Sequence, residues 1–279
     1  MATAACNRKL VVGPVAAAPG VGRSRARRAG IAVFAAGLMA LAACVDDPEE
    51  RRGSIYKWKA DPTPENVEKI RDLLDDADRD VRATAMNVMV SLHVDDAPQL
   101  ALDGLGDEDS FVRATAAKLL GDLANPATAE VLVERLREDP ESTVRRRAAE
   151  ALTKLGGELA LTGLAEGTGD PLDEVRLASV KGLRTLDPRY AKAALARVLR
   201  EDSKWEVRVQ AATALGLSGD PTVLPDLEEA LDDPNEFVRS AAANAIRVHA
   251  EVPPPPPAEQ PAAEPGAPSP AATDPGGPS

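Results

Sequence analysis

Six aspartates and six arginines stand at matching places along this 279-residue chain, and groups of these types invite two chemical readings. The aspartates are Asp76, Asp107, Asp139, Asp170, Asp202 and Asp233; the arginines are Arg82, Arg113, Arg145, Arg176, Arg208 and Arg239. Gathered in one site, carboxylates would hold a metal ion or trade protons. Spread one to a repeat, they serve what every repeat needs. An Asp side chain accepts turn amides, and each Arg is placed to reach the acid of the following repeat, which makes a ladder. Recurrence favours the second reading, so these residues are assigned to structure, with no catalytic or metal role.

Other reactive side chains are few. His93 and His249 each read as residues near the end of a helix. The chain has no Gly-rich phosphate loop, no Cys-x-x-Cys, and no Ser or Cys nucleophile beside a recognisable base. The expectation is therefore a protein that is not an enzyme and takes no metal and no cofactor.

The elements that position these residues follow from the period. A Val-Arg pair begins at 81, 112, 144, 175, 207 and 238, so the steps are 31, 32, 31, 32 and 31 residues. Four residues after each Val stands a small residue (Ala85, Ala116, Ala148, Ser179, Ala211, Ala242). Eight after it stands a large apolar one (Met89, Leu120, Leu152, Leu183, Leu215, Ile246). A repeat of this length means a solenoid. Helical spacing also marks a helix before each pair, as in Val67, Ile70 and Leu74 or Leu195, Val198 and Leu199. Small residues let neighbouring helices approach closely, and the large residue supplies most of the contact.

The Asp-x4-Val-Arg skeleton resembles HEAT-like repeats of the short kind named from phycobilin lyases, over about residues 61–250. That resemblance implies two antiparallel helices per repeat. The fold is then all-α: an α-solenoid, a right-handed superhelix of about six HEAT-like hairpins. For function the same repeat serves scaffolds, adaptors and a few enzymes; without a catalytic constellation, the expectation is a non-catalytic protein-binding scaffold or adaptor, and the alternative is an enzyme or enzyme accessory related to the phycobilin-lyase-like proteins. Deoxyhypusine hydroxylases are HEAT-like enzymes that bind iron through His-Glu pairs. Here Val94 and Ala250 follow the histidines, so that site has no residues to carry it.

A binding surface is read from the second helices, on the side opposite their core face. Positions −2, +2, +5, +6 and +9 from each Val should line it. They include six basic residues (Arg79, Lys118, Arg146, Lys181, Arg184, Arg247) against three acidic ones (Glu150, Asp173, Glu236). Trp205, exposed by its helical phase and set beside Leu177 and Val209, is a residue type found at interface hot spots. The groove is centred on repeats four and five, with Arg146, Leu177, Val180, Lys181, Arg184, Trp205 and Val209, and suits an unknown protein partner presenting an acidic or extended segment. The competing reading is a solvated face on which Trp205 packs against a neighbour.

The ends of the chain differ from the middle. Residues 1–43 carry six basic residues and no acid, and the apolar run Ile31 to Ala43 is shorter than the roughly 20 residues that span a bilayer. It suits a signal peptide, and Leu41-Ala42-Ala43-Cys44 resembles the lipobox of bacterial lipoproteins. That resemblance implies lipidation of Cys44 and an exported protein anchored to the cell membrane or outer membrane of a bacterium, facing periplasm or exterior. Without those six basic residues, 27 remain of the 33, against 45 acidic, a formal charge of −18. Such a balance argues against nucleic acid as a partner.

Residues 44–62 read as a tether, flexible over Asp46–Gly53, with Tyr56 and Trp58 capping the first repeat, and 63–250 as the solenoid. Residues 251–279, with 11 prolines, read as a disordered Pro/Ala-rich spacer. Repeat four, rich in glycine, is expected to be the softest.

Overall fold

Each Val-Arg pair opens a helix because the Asp five residues before it builds the turn. The computed structural model describes residues 47–250. In it the carboxylates of Asp76, Asp107, Asp139, Asp170, Asp202 and Asp233 each accept the amide two residues on, at 2.8–3.0 Å. A helix start leaves several amides without partners, and side-chain oxygens just upstream satisfy them. Asp78, Asp109 and Asn235 add a second cap at the helix start itself. Glu141, Leu172 and Lys204, at the same place in the middle repeats, do not. In the middle repeats the recurring Asp fixes the amide of the N-cap residue, and the N-cap side chain makes no cap bond of its own.

The helices are α1 (Pro48–Ala60), α2 (Pro64–Arg71), α3 (Arg79–Ser91), α4 (Ala97–Gly104), α5 (Ser110–Leu123), α6 (Ala129–Glu138) and α7 (Ser142–Leu155). They continue with α8 (Gly157–Gly167), α9 (Asp173–Leu186), α10 (Lys192–Glu201), α11 (Trp205–Leu217), α12 (Leu224–Glu229) and α13 (Glu236–His249). From α2 onward they form six hairpins, each an even-numbered helix packed on the odd-numbered helix after it. Each odd-numbered helix also packs on the next odd-numbered one, which gives a continuous second-helix layer from α3 to α13. The fold is an all-α solenoid. Among the described residues no strand occurs, and no helix is long and apolar enough to cross a membrane.

Packing follows the period. Val81, Val144, Val175 and Val238 are fully buried, as are the small residues four positions on. The residues five positions after Val are also interior: Ala117, Ala149, Val180 and Ala212 show no exposure. They sit where one second helix meets the next. Backbone meets backbone across the seam at Gly121 and Gly216, where an added Cβ would stand 2.7 Å from the Cα of Ala151 and of Ala245.

One expectation is corrected here. Residues 48–53, read as flexible tether, belong to helix α1, which places Glu49 and Glu50 in its first turn and Lys57 and Lys59 in its last. Those charges complement the helix dipole at both ends and so stabilise the helix. Further along α1, Ile55 is fully buried and Trp58 packs with it on Ile70, Val81, Ala85, Val88 and Met89, covering the first hairpin.

In repeat four three glycines serve packing, a role that backbone propensity alone does not show. Gly163, Gly167 and Gly182 are buried, and a Cβ on each would meet Val133, Ser179 or Thr153 at 2.6, 2.4 and 2.4 Å. They are sites of close approach, where glycine permits tighter packing than alanine could.

Candidate functional site

The recurring arginines span the joints between repeats. Arg82, Arg113, Arg145, Arg176 and Arg208 each donate from Nε and one terminal nitrogen to both oxygens of the next repeat's aspartate. The partners are Asp107, Asp139, Asp170, Asp202 and Asp233, at 2.6–3.0 Å. The remaining nitrogen of each turns back to a carbonyl of its own repeat's turn; for Arg145 these are Asp139 at 2.9 Å and Pro140 at 3.1 Å. Burial pushes Asp107, Asp202 and Asp233 up. The guanidinium of the preceding repeat and the turn amide outweigh it and hold all three carboxyls below the ordinary aspartate value. The same hydrogen bonds raise Arg82, Arg113, Arg145 and Arg176. Groups held ionised in two-pronged pairs are fixed joints, poorly suited to carrying protons.

A second row runs beside this ladder, where the residue two before one Val meets the residue one before the next. The guanidinium of Arg79 lies 5.7 Å from the ring centroid of Phe111. The hydroxyl of Ser142 donates to Glu174 at 2.6 Å. Trp205 stacks on Phe237 with centroids 5.0 Å apart and planes inclined by 27°.

That row decides the reading of Trp205. Its ring packs on Phe237, and 37% of the residue stays exposed. Of the seven groove residues, the structure brings three together. Arg146, Leu177 and Lys181 line one cleft between α7 and α9, about 420 Å³ in volume, with Glu150, Thr153, Lys154, Glu174, Ala178, Gly182 and Thr185. Val180 is not on this face. It is fully buried, because position +5 is covered by the neighbouring repeat's second helix, which a single-helix projection leaves out. Arg184 donates to Gln210 at 2.9 Å, tying α9 to α11, and Val209 is half-buried against the core. Thr153 stands at position +9, which the sequence reading included, whereas Lys154, Glu174, Ala178, Gly182 and Thr185 were missed. They occupy positions −1, +3, +7 and +10, the flank toward the neighbouring repeat.

Within the cleft most polar groups are already engaged. Arg146 and Arg147 both pair with Glu150, at 2.6 and 2.8 Å. Lys154 pairs with Asp122 of the preceding second helix. The Thr153 and Thr185 hydroxyls donate to the carbonyls of Ala149 and Lys181, both at 2.9 Å. Among the described residues no group of three or more His, Cys, Asp or Glu could hold a metal ion. Cys44, the signal peptide and the Pro-rich segment lie outside the described residues.

Comparison with known proteins gives the chain its relatives. The family described as HEAT repeats matches residues 67–153 and 161–247. Phycocyanobilin lyase subunit alpha of Nostoc sp. is 30% identical over 168 residues, covering 53% of this chain and 61% of that protein. Deoxyhypusine hydroxylase of Candida albicans is 28% identical over 120 residues, covering 42% of this chain and 38% of that protein. The match thus spans under two thirds of either relative's length. Among solved structures, the complex of CpcE and CpcF of phycocyanin lyase from Nostoc sp. is 27% identical with a TM-score of 0.48, covering 56% of this chain and 65% of that one.

These relatives overturn the expectation that the protein is not an enzyme, since both curated matches are enzymes or enzyme subunits. An enzyme subunit needs no complete catalytic constellation of its own, because it can contribute part of a site or hold the reactants of another.

Proposed function

Since the chain belongs to the HEAT-repeat family, we propose that it acts in an enzyme system, as an enzyme or enzyme accessory of the phycobilin-lyase-like kind. In this reading the ladder keeps the repeats in register, and the second-helix layer over α7, α9 and α11 receives a protein partner. The observation that carries it is the cleft of Arg146, Leu177 and Lys181, lined wholly by second helices and covered by no other described element. The similarity to a subunit of a phycocyanobilin lyase supports an assembly with a second protein. Lys181, which has no side-chain partner among the described residues, suits an acidic or extended segment on that partner.

A lipid anchor at Cys44, holding the protein at a bacterial envelope membrane, completes the proposal. It is checked separately by palmitate labelling and by the membrane retention of Cys44→Ser.

The functional test is reconstitution. A partner cross-linked to the chain in its native cells is purified, and its turnover is measured with and without the chain. Turnover that depends on the chain supports the accessory reading, and so does chemistry catalysed by the chain on that partner. A partner equally active alone, and unchanged by the chain, overturns both forms.

A further inference from the structure

We propose that the cleft between α7 and α9 binds a small amphipathic anion, a ligand with an apolar body and a single carboxylate. The apolar body would lie on Leu177, Ala178 and Gly182, and the carboxylate would pair with Lys181. At about 420 Å³ the cleft falls in the size range of small-molecule sites, mostly apolar with a few polar groups that fix orientation.

The choice of charge comes from accounting for each polar neighbour. Glu150 is neutralised by two arginines, Lys154 by Asp122, and Glu174 accepts the Ser142 hydroxyl. Both threonine hydroxyls are spent on carbonyls of their own helix. Lys181 alone among the charged residues lining the cleft has no side-chain partner among the described residues. The Lys181 ammonium, beside Leu177, Ala178 and Gly182, gives an anion a partner, whereas Glu174, bonded to a neutral hydroxyl, is the one lining carboxylate with which a cation could pair.

The cleft between α3, α4 and α5, about 380 Å³, lacks this arrangement. Its two arginines, Arg71 and Arg82, are each committed to an aspartate through two hydrogen bonds, and three more lining residues are Asp75, Asp103 and Asp107. It offers an anion no free cation.

The test uses the full chain and three ten-carbon probes: decanoate, decanol and decyltrimethylammonium. Calorimetric titration should show decanoate binding at least about tenfold tighter than decanol, the margin of one charge-assisted hydrogen bond, and tighter than the ammonium. Lys181→Gln should erase that margin. Ala178→Trp, which fills the cleft, should abolish decanoate binding, whereas Leu159→Trp on α8 should leave it unchanged. Should Ala178→Trp fail to fold, Lys181→Gln decides alone.

Equal affinity for decanoate and decanol overturns the proposal. So does a margin that survives Lys181→Gln, or the absence of saturable decanoate binding. The measurement needs no partner protein, so its failure leaves the reconstitution experiment standing.

Discussion

Arg145 grips Asp170 with two nitrogens, at 2.7 and 3.0 Å, while its third holds the turn carbonyls of Asp139 and Pro140. One side chain thus closes its own repeat and joins it to the next. Both partners are nearly out of solvent, with 10% of the Arg145 side chain and 6% of the Asp170 side chain exposed. Such a pair contributes little net stability when whole, but leaves a stranded charge when cut.

Arg145→Ala should therefore destabilise the protein by about 3–5 kcal/mol. Arg239→Ala, at the last rung, should cost less than about 1 kcal/mol, because Arg239 is exposed and among the described residues holds only carbonyls. Urea unfolding of the two variants checks this contrast, and equal losses would contradict the ladder as the joint between repeats.

Glycine-to-alanine changes in a helix ordinarily stabilise it by about 1 kcal/mol. At Gly121 the sign should reverse, since the new methyl would stand 2.7 Å from the Cα of Ala151. Forcing the helices apart should cost about 1–3 kcal/mol. At the exposed end of the same layer, Ser240→Ala should change stability by less than about 0.5 kcal/mol. Thermal melts of both variants decide whether the seam is as close as described.

Ser179 stands where the other repeats have alanine, fully buried, with a hydroxyl that finds no hydrogen-bond partner among the described residues. Leaving such a group unsatisfied costs about 1–3 kcal/mol. Ser179→Ala should raise the melting temperature, and a lower one would show that the hydroxyl is satisfied in solution.

Acid should weaken the stack. Asp220, held by Lys192 and then by Thr222, has a carboxyl lowered to about 2 from 3.8. Asp107, Asp202 and Asp233 also lie below their ordinary value. A carboxyl lowered by folding contributes stability that is complete above its unfolded value and disappears as pH falls through the folded one. The urea midpoint should hold steady from about pH 7 to about pH 5, then drop between about pH 4 and about pH 2. Asp220→Asn should make that drop shallower. A midpoint indifferent to pH below 4 would contradict the lowered carboxyls.

The repeat skeleton was legible because period, small residue and large residue recur on the same face of every second helix. The seam between repeats was harder to read. Val180 looked exposed on an isolated helix and is covered by a helix from another repeat. Trp205 looked like a free anchor, and its stacking partner Phe237 lies one repeat away at a different offset. The glycines of repeat four were read through backbone propensity alone, and close packing decides their role. Helix α1 was hidden by its low apolar content; apart from Ile55 and Trp58 it shows almost no periodic face.

Leu177 and Leu159 offer the most direct measurement of where the protein works. Leu177 lines the α7/α9 cleft, and Leu159, 55% exposed, stands on α8 in the first-helix layer. A photoreactive phenylalanine placed at each position, in native cells, reports which layer meets a partner. One specific cross-linked protein is expected from position 177, lost on Lys181→Glu, and none from position 159. Capture from 159 alone, or equally from both, would contradict a working surface on the second helices.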